Sequence, residues 1–190
     1  MKLSNLRVPK TALLNKIGDI DDQGNYSSPI QSKGKRFGML IAALTGGWVN
    51  VPWIATEQSF VTLSIALRYS LTRKQFGNPE VQIIDYPLQQ YRLFKLYAEN
   101  ITYWISALKV NEIWQENLPN LLDEKNWRSE LCHGLSSAAK AFNSWASHNT
   151  IQECRRSMGG HGFSHFSMIG HIGQCSDVNQ TWEGDNNVLL

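Results

Sequence analysis

From Asp85 to about Asn117, apolar residues recur at intervals of three and four: Leu88, Tyr91, Phe94 (or Leu93), Ala98, Ile101, Ile105 and Leu108. An α-helix turns once every 3.6 residues, so this spacing gathers the side chains on one long face. A helix of that length cannot bury such a face alone and needs other helices against it. Two further stretches meet the need. One runs from about Phe37 to Arg73, with Trp53, Phe60, Ile65 and Leu67 near one side of its second half. The other runs from about Lys125 to Met158, with Leu131, Leu135, Ala138, Phe142, Trp145 and Ile151 on one side. The expected fold is all-α, an antiparallel four-helix-bundle-like domain with a short β/loop remnant at its N-terminus.

Glycine and proline set the boundaries. Gly46-Gly47 and Pro52 interrupt the first stretch, and proline inside a helix removes a hydrogen bond, so a kink or break is expected near Val49 to Pro52. Gly77-Asn78-Pro79 stops it, and Asp85 is the expected N-cap of the next, with Pro87 in its first turn. Pro119 ends the second stretch and Gly159-Gly160 the third. Gly160 to Gly173 reads as a loop, and Asn186 to Leu190 as the first turns of a fourth helix cut short. Met1 to Lys10 reads as the last strand of a preceding sheet. Asn15 to Lys35 reads as a loop with turn chemistry at Asp22-Gln23-Gly24-Asn25. Trp104, Trp114, Trp127 and Trp145 fall at helical spacing and are expected in the core.

Composition removes several classes of function. A formal charge of +2 gives no electrostatic reason to expect nucleic acid or an anionic membrane surface. No apolar run reaches the roughly 20 residues of a membrane span. The odd count of three cysteines, Cys132, Cys154 and Cys175, without a CxxC pair, reads as reduced thiols of an intracellular protein. His161, His165 and His171 are close in sequence but have no carboxylate or thiol at zinc-like spacing, so no metal is expected.

The chemistry concentrates in Met158-Gly159-Gly160-His161-Gly162-Phe163 and Thr181-Trp182-Glu183-Gly184-Asp185-Asn186-Asn187. Glu183 stands beside an indole and before a glycine at a helix start. One reading is a carboxylate desolvated by Trp182, its proton affinity raised, with the Gly184 amide aimed at a developing oxyanion. The other is an acid favoured at a helix N-terminus by the dipole. Arg73 is open to the same choice, as a solvated cation at a helix C-terminus or an anion ligand. Gly159 and Gly160 are either an ordinary helix cap or backbone approached by a ligand.

Four motifs in order, "SLTRKQFG", "IIDYPLQQYRLF", "CRRSMGGHGFS" and "DVNQTWEGDNNVLL", resemble the C-terminal flavoprotein region of peroxisomal acyl-CoA oxidases, of the acyl-CoA dehydrogenase superfamily. The similarity runs from about Leu6 to Leu190. The resemblance implies that Glu183 removes the α-proton of a fatty acyl-CoA. The β-hydride then goes to FAD, giving trans-2-enoyl-CoA, and oxygen becomes hydrogen peroxide. It implies that the Gly184 amide binds the thioester carbonyl. It implies that Arg73, Gln75 and Phe76 reach the FAD of the other subunit of a homodimer, and that Gly159 and Gly160 lie close to the cofactor. By the same resemblance the location is the peroxisome, although no peroxisomal tripeptide of the SKL type ends the chain.

The family pattern also defines departures. Residues 1–35 correspond to the end of the family's middle β-domain and a linker, and 36–190 to the helical domain with its fourth helix truncated. Trp48 stands where the family typically has an arginine for the CoA end; it cannot pair with phosphate, though it could stack on adenine. Pro52 is unusual there. Two rival readings follow: a non-catalytic truncated helical module that dimerises with full-length relatives, and an acyl-CoA dehydrogenase that passes electrons to a protein partner.

Overall fold

The structure, a computed structural model, describes residues 1–120 and 127–190, with the backbone alone at 41–43. Three long helices dominate: α1 (Lys33–Thr72), α2 (Pro87–Asn117) and α3 (Trp127–Ser157). Ser32 caps α1, its hydroxyl accepting from the Lys35 amide at 3.3 Å. A two-stranded hairpin, β1 (Asp19–Ile20) with β2 (Tyr26–Ser27), precedes α1 and turns over the expected Asp22–Asn25 segment. A second hairpin, β3 (Lys74–Gly77) with β4 (Glu80–Gln82), joins α1 to α2.

Cross-helix hydrogen bonds fix the register. Gln89 Nε2 donates to Ser70 Oγ at 2.9 Å and to the Ser157 carbonyl at 3.1 Å, tying all three helices at one end. Farther along, Asn100 Nδ2 meets Thr150 Oγ1 and Asn143 Nδ2 meets the Tyr103 carbonyl. Helix α2 is thus antiparallel to α1 and α3. The return path is made of short helices: α4 (Gly160–Phe163), α5 (Ile169–Asp177) and α6 (Asn186–Leu189). Asn179 Nδ2 donates to Gln58 Oε1 at 3.0 Å, and Lys140 reaches Gly184, so this path runs back along α3. The all-α bundle-like expectation holds.

Several local expectations do not hold. Helix α1 passes through Pro52 without a break. Pro52 is buried, and the Thr56 hydroxyl donates to its carbonyl at 2.7 Å, so packing against α3 sustains the helix across the lost bond. Asp85 does not cap α2. It closes a 3-10 turn at Ile83–Asp85, and the N-cap is Tyr86, with Pro87 as the first helical residue. Residues 160–173 are helical turns rather than a loop, because Gly162 packs directly against α3. Met1 to Lys10 forms no strand, and among the described residues no strand lies unpaired beside it. The expected start of the third helix near Lys125 lies outside the described residues.

The largest correction concerns which faces are inside. Leu88, Tyr91, Phe94, Ile101, Ile105 and Leu108 are all exposed. Of the expected face only Leu93, the alternative to Phe94, is buried, and helix α2 otherwise buries Gln89, Asn100, Ala107, Val110 and Asn117. On α3, Leu131, Leu135, Ala138 and Phe142 are exposed, while Ser136, Lys140, Ala141, Ser144, Ser147, Thr150 and Ile151 are buried. Small residues let α1 and α3 approach closely. Ser147 Oγ donates to the Ala55 carbonyl at 2.6 Å, and Ser59 Oγ donates to Ser147 Oγ at 2.8 Å. Buried hydroxyls are then satisfied across the seam. Trp104 and Trp127 are also exposed, against expectation, and Trp114 and Trp145 are half-buried. Trp104 lies edge-on to Trp53 and Phe60 of α1, with ring centroids 6.3 and 6.0 Å away.

The apolar core sits at the Gln89 end: Leu63, Ala66, Ile84, Leu93, Ile151, Cys154, Met158 and Ile169. Among the described residues α1 is the one helix long and apolar enough to cross a membrane by length and composition. Its buried Thr56, Ser59, Thr62 and Ser70 seat it within the bundle.

Two predictions follow from this packing. Cys132 and Cys154 are buried, which raises both thiols, Cys154 to about 12; Cys175 is exposed. One thiol per native chain, Cys175, should react rapidly with a maleimide and the other two only after unfolding. Fast labelling of Cys154 in the native chain would contradict this core. Burial raises the Glu153 carboxyl, but Arg92 and Arg156 outweigh it and hold the group below its ordinary value. That contribution is present above the ordinary carboxylate range and is lost as pH falls through the lowered folded value. Glu153→Gln should therefore be less stable than the native chain at pH 7, with urea midpoints converging in acid.

Candidate active site

The candidate residues divide between the two ends of the bundle. At the first end, Arg73 caps α1, with its side chain exposed, its amide bonded to the Tyr69 carbonyl and its own carbonyl accepting from the Ile83 amide. The β3–β4 hairpin holds Gln75 and Phe76. Tyr86 Oη donates to the Gln75 carbonyl at 3.0 Å, and Phe76, at φ 59°, is exposed at the tip. Gly159 and Gly160 follow α3 at this same end, since His161 Nδ1 shares a hydrogen bond of 3.0 Å with the Tyr69 hydroxyl, one turn before Arg73. The histidine is thus partnered.

This end suits an anionic, pyrophosphate-bearing cofactor such as FAD. The Arg73 guanidinium is exposed, with no carboxylate paired to it among the described residues. A Cβ at Gly159 or Gly160 would meet nothing within 4 Å, so the backbone there is open to close approach.

At the opposite end lies the Glu183–Gly184 elbow. Both residues have positive φ, 57° and 109°. Glycine adopts that region freely; glutamate does so at a cost of about 1 kcal/mol. Three anchors offset this cost. The Trp48 indole Nε1 of α1 donates to the Glu183 carbonyl. Lys140 Nζ of α3 donates to the Gly184 carbonyl at 2.6 Å and to Asn186 Oδ1 at 2.8 Å. Asn186 is buried and donates to the Ala141 carbonyl and to Ser144 Oγ. Asp185 caps α6, accepting from the Asn187 amide at 2.9 Å. Burial lowers the Lys140 ammonium from its ordinary value, while the charges of Asp185 and Glu183 favour its protonated form.

The Glu183 carboxylate is exposed and rests against α1 at Gly47. Trp182 is half exposed and does not enclose it, so the expected desolvation by that indole is absent from the chain's own packing. A Cβ at Gly47 would lie 2.8 Å from Glu183 Cδ and Oε2. Gly47→Ala should therefore displace the carboxylate while raising helix stability by up to about 1 kcal/mol. A gain in melting temperature with loss of turnover is the expected pair of results; unchanged turnover would remove Gly47 from the site.

Trp48 corrects another expectation. It is 6% exposed, its ring lies 4.8 Å from that of His133, and its N–H is committed to Glu183, so it has no face free to stack on adenine. Sequence reasoning passed over Gly47, Lys140 and Asn186. The signal for Lys140 was present: it shares the i, i+4 stripe of Ser136 and Ser144, where a surface lysine would not belong.

Gly47, against Glu183, and Arg73 are 26 residues apart on α1 and its cap. At 1.5 Å per residue the two ends are about 39 Å apart. One chain cannot bring Glu183 and Arg73 to the same ligand atom.

The helical fold matches the helical C-terminal domain of acyl-CoA oxidases. Acyl-CoA oxidase 1 of Yarrowia lipolytica superposes with a TM-score of 0.85 at 31% identity, covering 99% of this chain and 29% of that one. Acyl-CoA oxidase-2 of Caenorhabditis elegans, solved with FAD, ascaroside-CoA and ATP, superposes at 0.81 with 27% identity, covering 98% of this chain and 28% of that one. The peroxisomal acyl-coenzyme A oxidase 3 of Arabidopsis thaliana is 37% identical over 98% of this chain and 27% of its own length. The acyl-CoA oxidase C-alpha1 domain profile matches residues 42–190, and the chain belongs to that family. It spans little more than a quarter of the length of these relatives.

Proposed function

We propose that this chain carries the proton-abstracting and cofactor-contacting elements of a peroxisomal fatty acyl-CoA oxidase, with residues 1–35 corresponding to the end of a β-domain and linker. The observation that carries this reading is the Glu183–Gly184 elbow, which joins an exposed glutamate to an amide with no hydrogen-bond partner among the described residues. Glu183 accepts the α-proton of the acyl-CoA. The Gly184 N–H donates to the thioester carbonyl, where negative charge develops as the proton leaves. Arg73 pairs with the FAD pyrophosphate, with Gln75, Phe76 and the open Gly159–Gly160 backbone beside it. FAD, when bound, supplies hydride acceptance at the β-carbon with oxygen as the final acceptor, so the products are trans-2-enoyl-CoA and hydrogen peroxide. Because the two ends are about 39 Å apart, Arg73 serves the cofactor facing the other copy of a homodimer.

The test is peroxide formation by the chain supplied with FAD and a fatty acyl-CoA. Peroxide in step with enoyl-CoA supports the oxidase. Enoyl-CoA without peroxide, and only with an electron-accepting protein, marks a dehydrogenase.

The exposed stripe of Phe94, Tyr97, Trp104 and Ile105 favours a second reading, a non-catalytic module that dimerises with longer relatives. A purified chain that takes up no flavin from added FAD, yet associates with such a relative, would establish it.

A further inference from the structure

The peptide unit joining Glu183 to Gly184 is planar, with its carbonyl and its N–H on opposite sides. The carbonyl faces into the bundle, where the Trp48 indole donates to it. The Gly184 N–H of the same plane therefore faces away from α1. It has no hydrogen-bond partner among the described residues. The next carbonyl, that of Gly184, is held from the other side by Lys140 Nζ at 2.6 Å. Trp48 is 6% exposed and Lys140 fully buried, so both clamps are fixed by their own packing. Their helices are locked together by the Ser147–Ala55 and Ser147–Ser59 bonds, so the clamps have a rigid spacing.

We propose that Trp48 and Lys140 are positioning residues that jointly orient the Gly184 N–H toward the thioester carbonyl of the substrate. The role of the N–H rests on the oxidase reading; the clamp itself does not. A bond to the carbonyl of a peptide also polarises its N–H and makes it a better donor. Trp48 thus acts on the oxyanion through the peptide plane without touching substrate. Lys140 fixes the following carbonyl and, through Asn186, ties the elbow to α6. Neither clamp alone suffices, because rotation about the Gly184 backbone is unusually free at φ 109°.

The experiment is nitrogen-15 relaxation and hydrogen exchange on the ligand-free chain, with Trp48→Phe and Lys140→Met. Phe keeps a ring against His133 and removes the donor; Met keeps the stem and removes the ammonium. In the native chain the Gly184 amide should be rigid, with an order parameter of about 0.85, and should fall below about 0.6 in each variant. The Tyr69 and Arg73 amides at the far end should not change. The Trp48 indole N–H should exchange at least about 10-fold more slowly than that of a free indole, a check that needs no substitution. In the chain supplied with FAD and acyl-CoA, Trp48→Phe should lower kcat about 10²-fold with KM unchanged. A Gly184 amide that keeps its order parameter and resonance position in both variants, or an indole exchanging at the free rate, overturns the proposal. If the native amide is rigid and loosens as expected but no acyl-CoA is oxidised, the oxidase reading fails and the clamp stands.

Discussion

Glu183→Gln should lower acyl-CoA oxidation by about 10²–10⁴-fold, the range over which a positioned general base contributes. Glutamine keeps the size and the hydrogen-bonding shape of the side chain but accepts no proton at neutral pH. The side chain is exposed, and the elbow is held through backbone carbonyls by Trp48 and Lys140. Unfolding free energy should therefore stay within about 0.5 kcal/mol of native. Flavin uptake at the Arg73 end should also be unchanged. Turnover kinetics beside a thermal melt separates the two effects. Full activity in the glutamine variant would remove Glu183 as the base.

The second large effect is on stability. Gly162→Ala should destabilise the fold by about 3 kcal/mol, equivalent to a fall in Tm of roughly 10 °C for a chain of this size. A Cβ at Gly162 would lie 2.0 Å from the Arg155 carbonyl oxygen and 2.8 Å from its carbon. Both are backbone atoms of α3, so no side-chain rotation relieves the clash. The position is buried, and α4 rests on α3 through it. Gly160→Ala in the same motif meets nothing within 4 Å and serves as the control, with little change in Tm. Equal melting of the two variants would mean that α4 does not pack as described.

Bundle class, helix order and most boundaries were legible in the sequence, because glycine and proline mark breaks by backbone chemistry alone. The inner faces were not legible. Periodicity locates large apolar side chains, and here many of them, such as Phe94, Ile105 and Phe142, point outward. The seam between α1 and α3 is built from Ala55, Ser59, Ser144 and Ser147, residues that carry little hydrophobic signal. They are inside because close helix approach satisfies their hydroxyls, and pairing across helices has no one-dimensional pattern. Pro52 misled for the same reason, since tertiary packing carried the helix through it.

Glu183, Gly184, Arg73 and the Gly159–Gly160 pair were named through motif resemblance, which also implied that Arg73 serves the other subunit, but the distance between the two ends was not visible in the motifs. That distance follows from the length of α1. The supports of the elbow were also hidden: Trp48 stood where the family typically has an arginine, and Lys140 was passed over. Trp48 donates to a backbone carbonyl 135 residues away and Lys140 to one 44 residues away, contacts that only the folded chain defines.

The most direct test of the two-ended site is complementation between two inactive variants. Arg73→Ala and Glu183→Gln are purified separately, mixed, allowed to exchange subunits with FAD present, and assayed for peroxide from a fatty acyl-CoA. A site built from Glu183 of one copy and Arg73 of the other predicts recovery of about a quarter of native activity, since half the dimers are mixed and each has one intact site. A mixture no more active than its two components would contradict it.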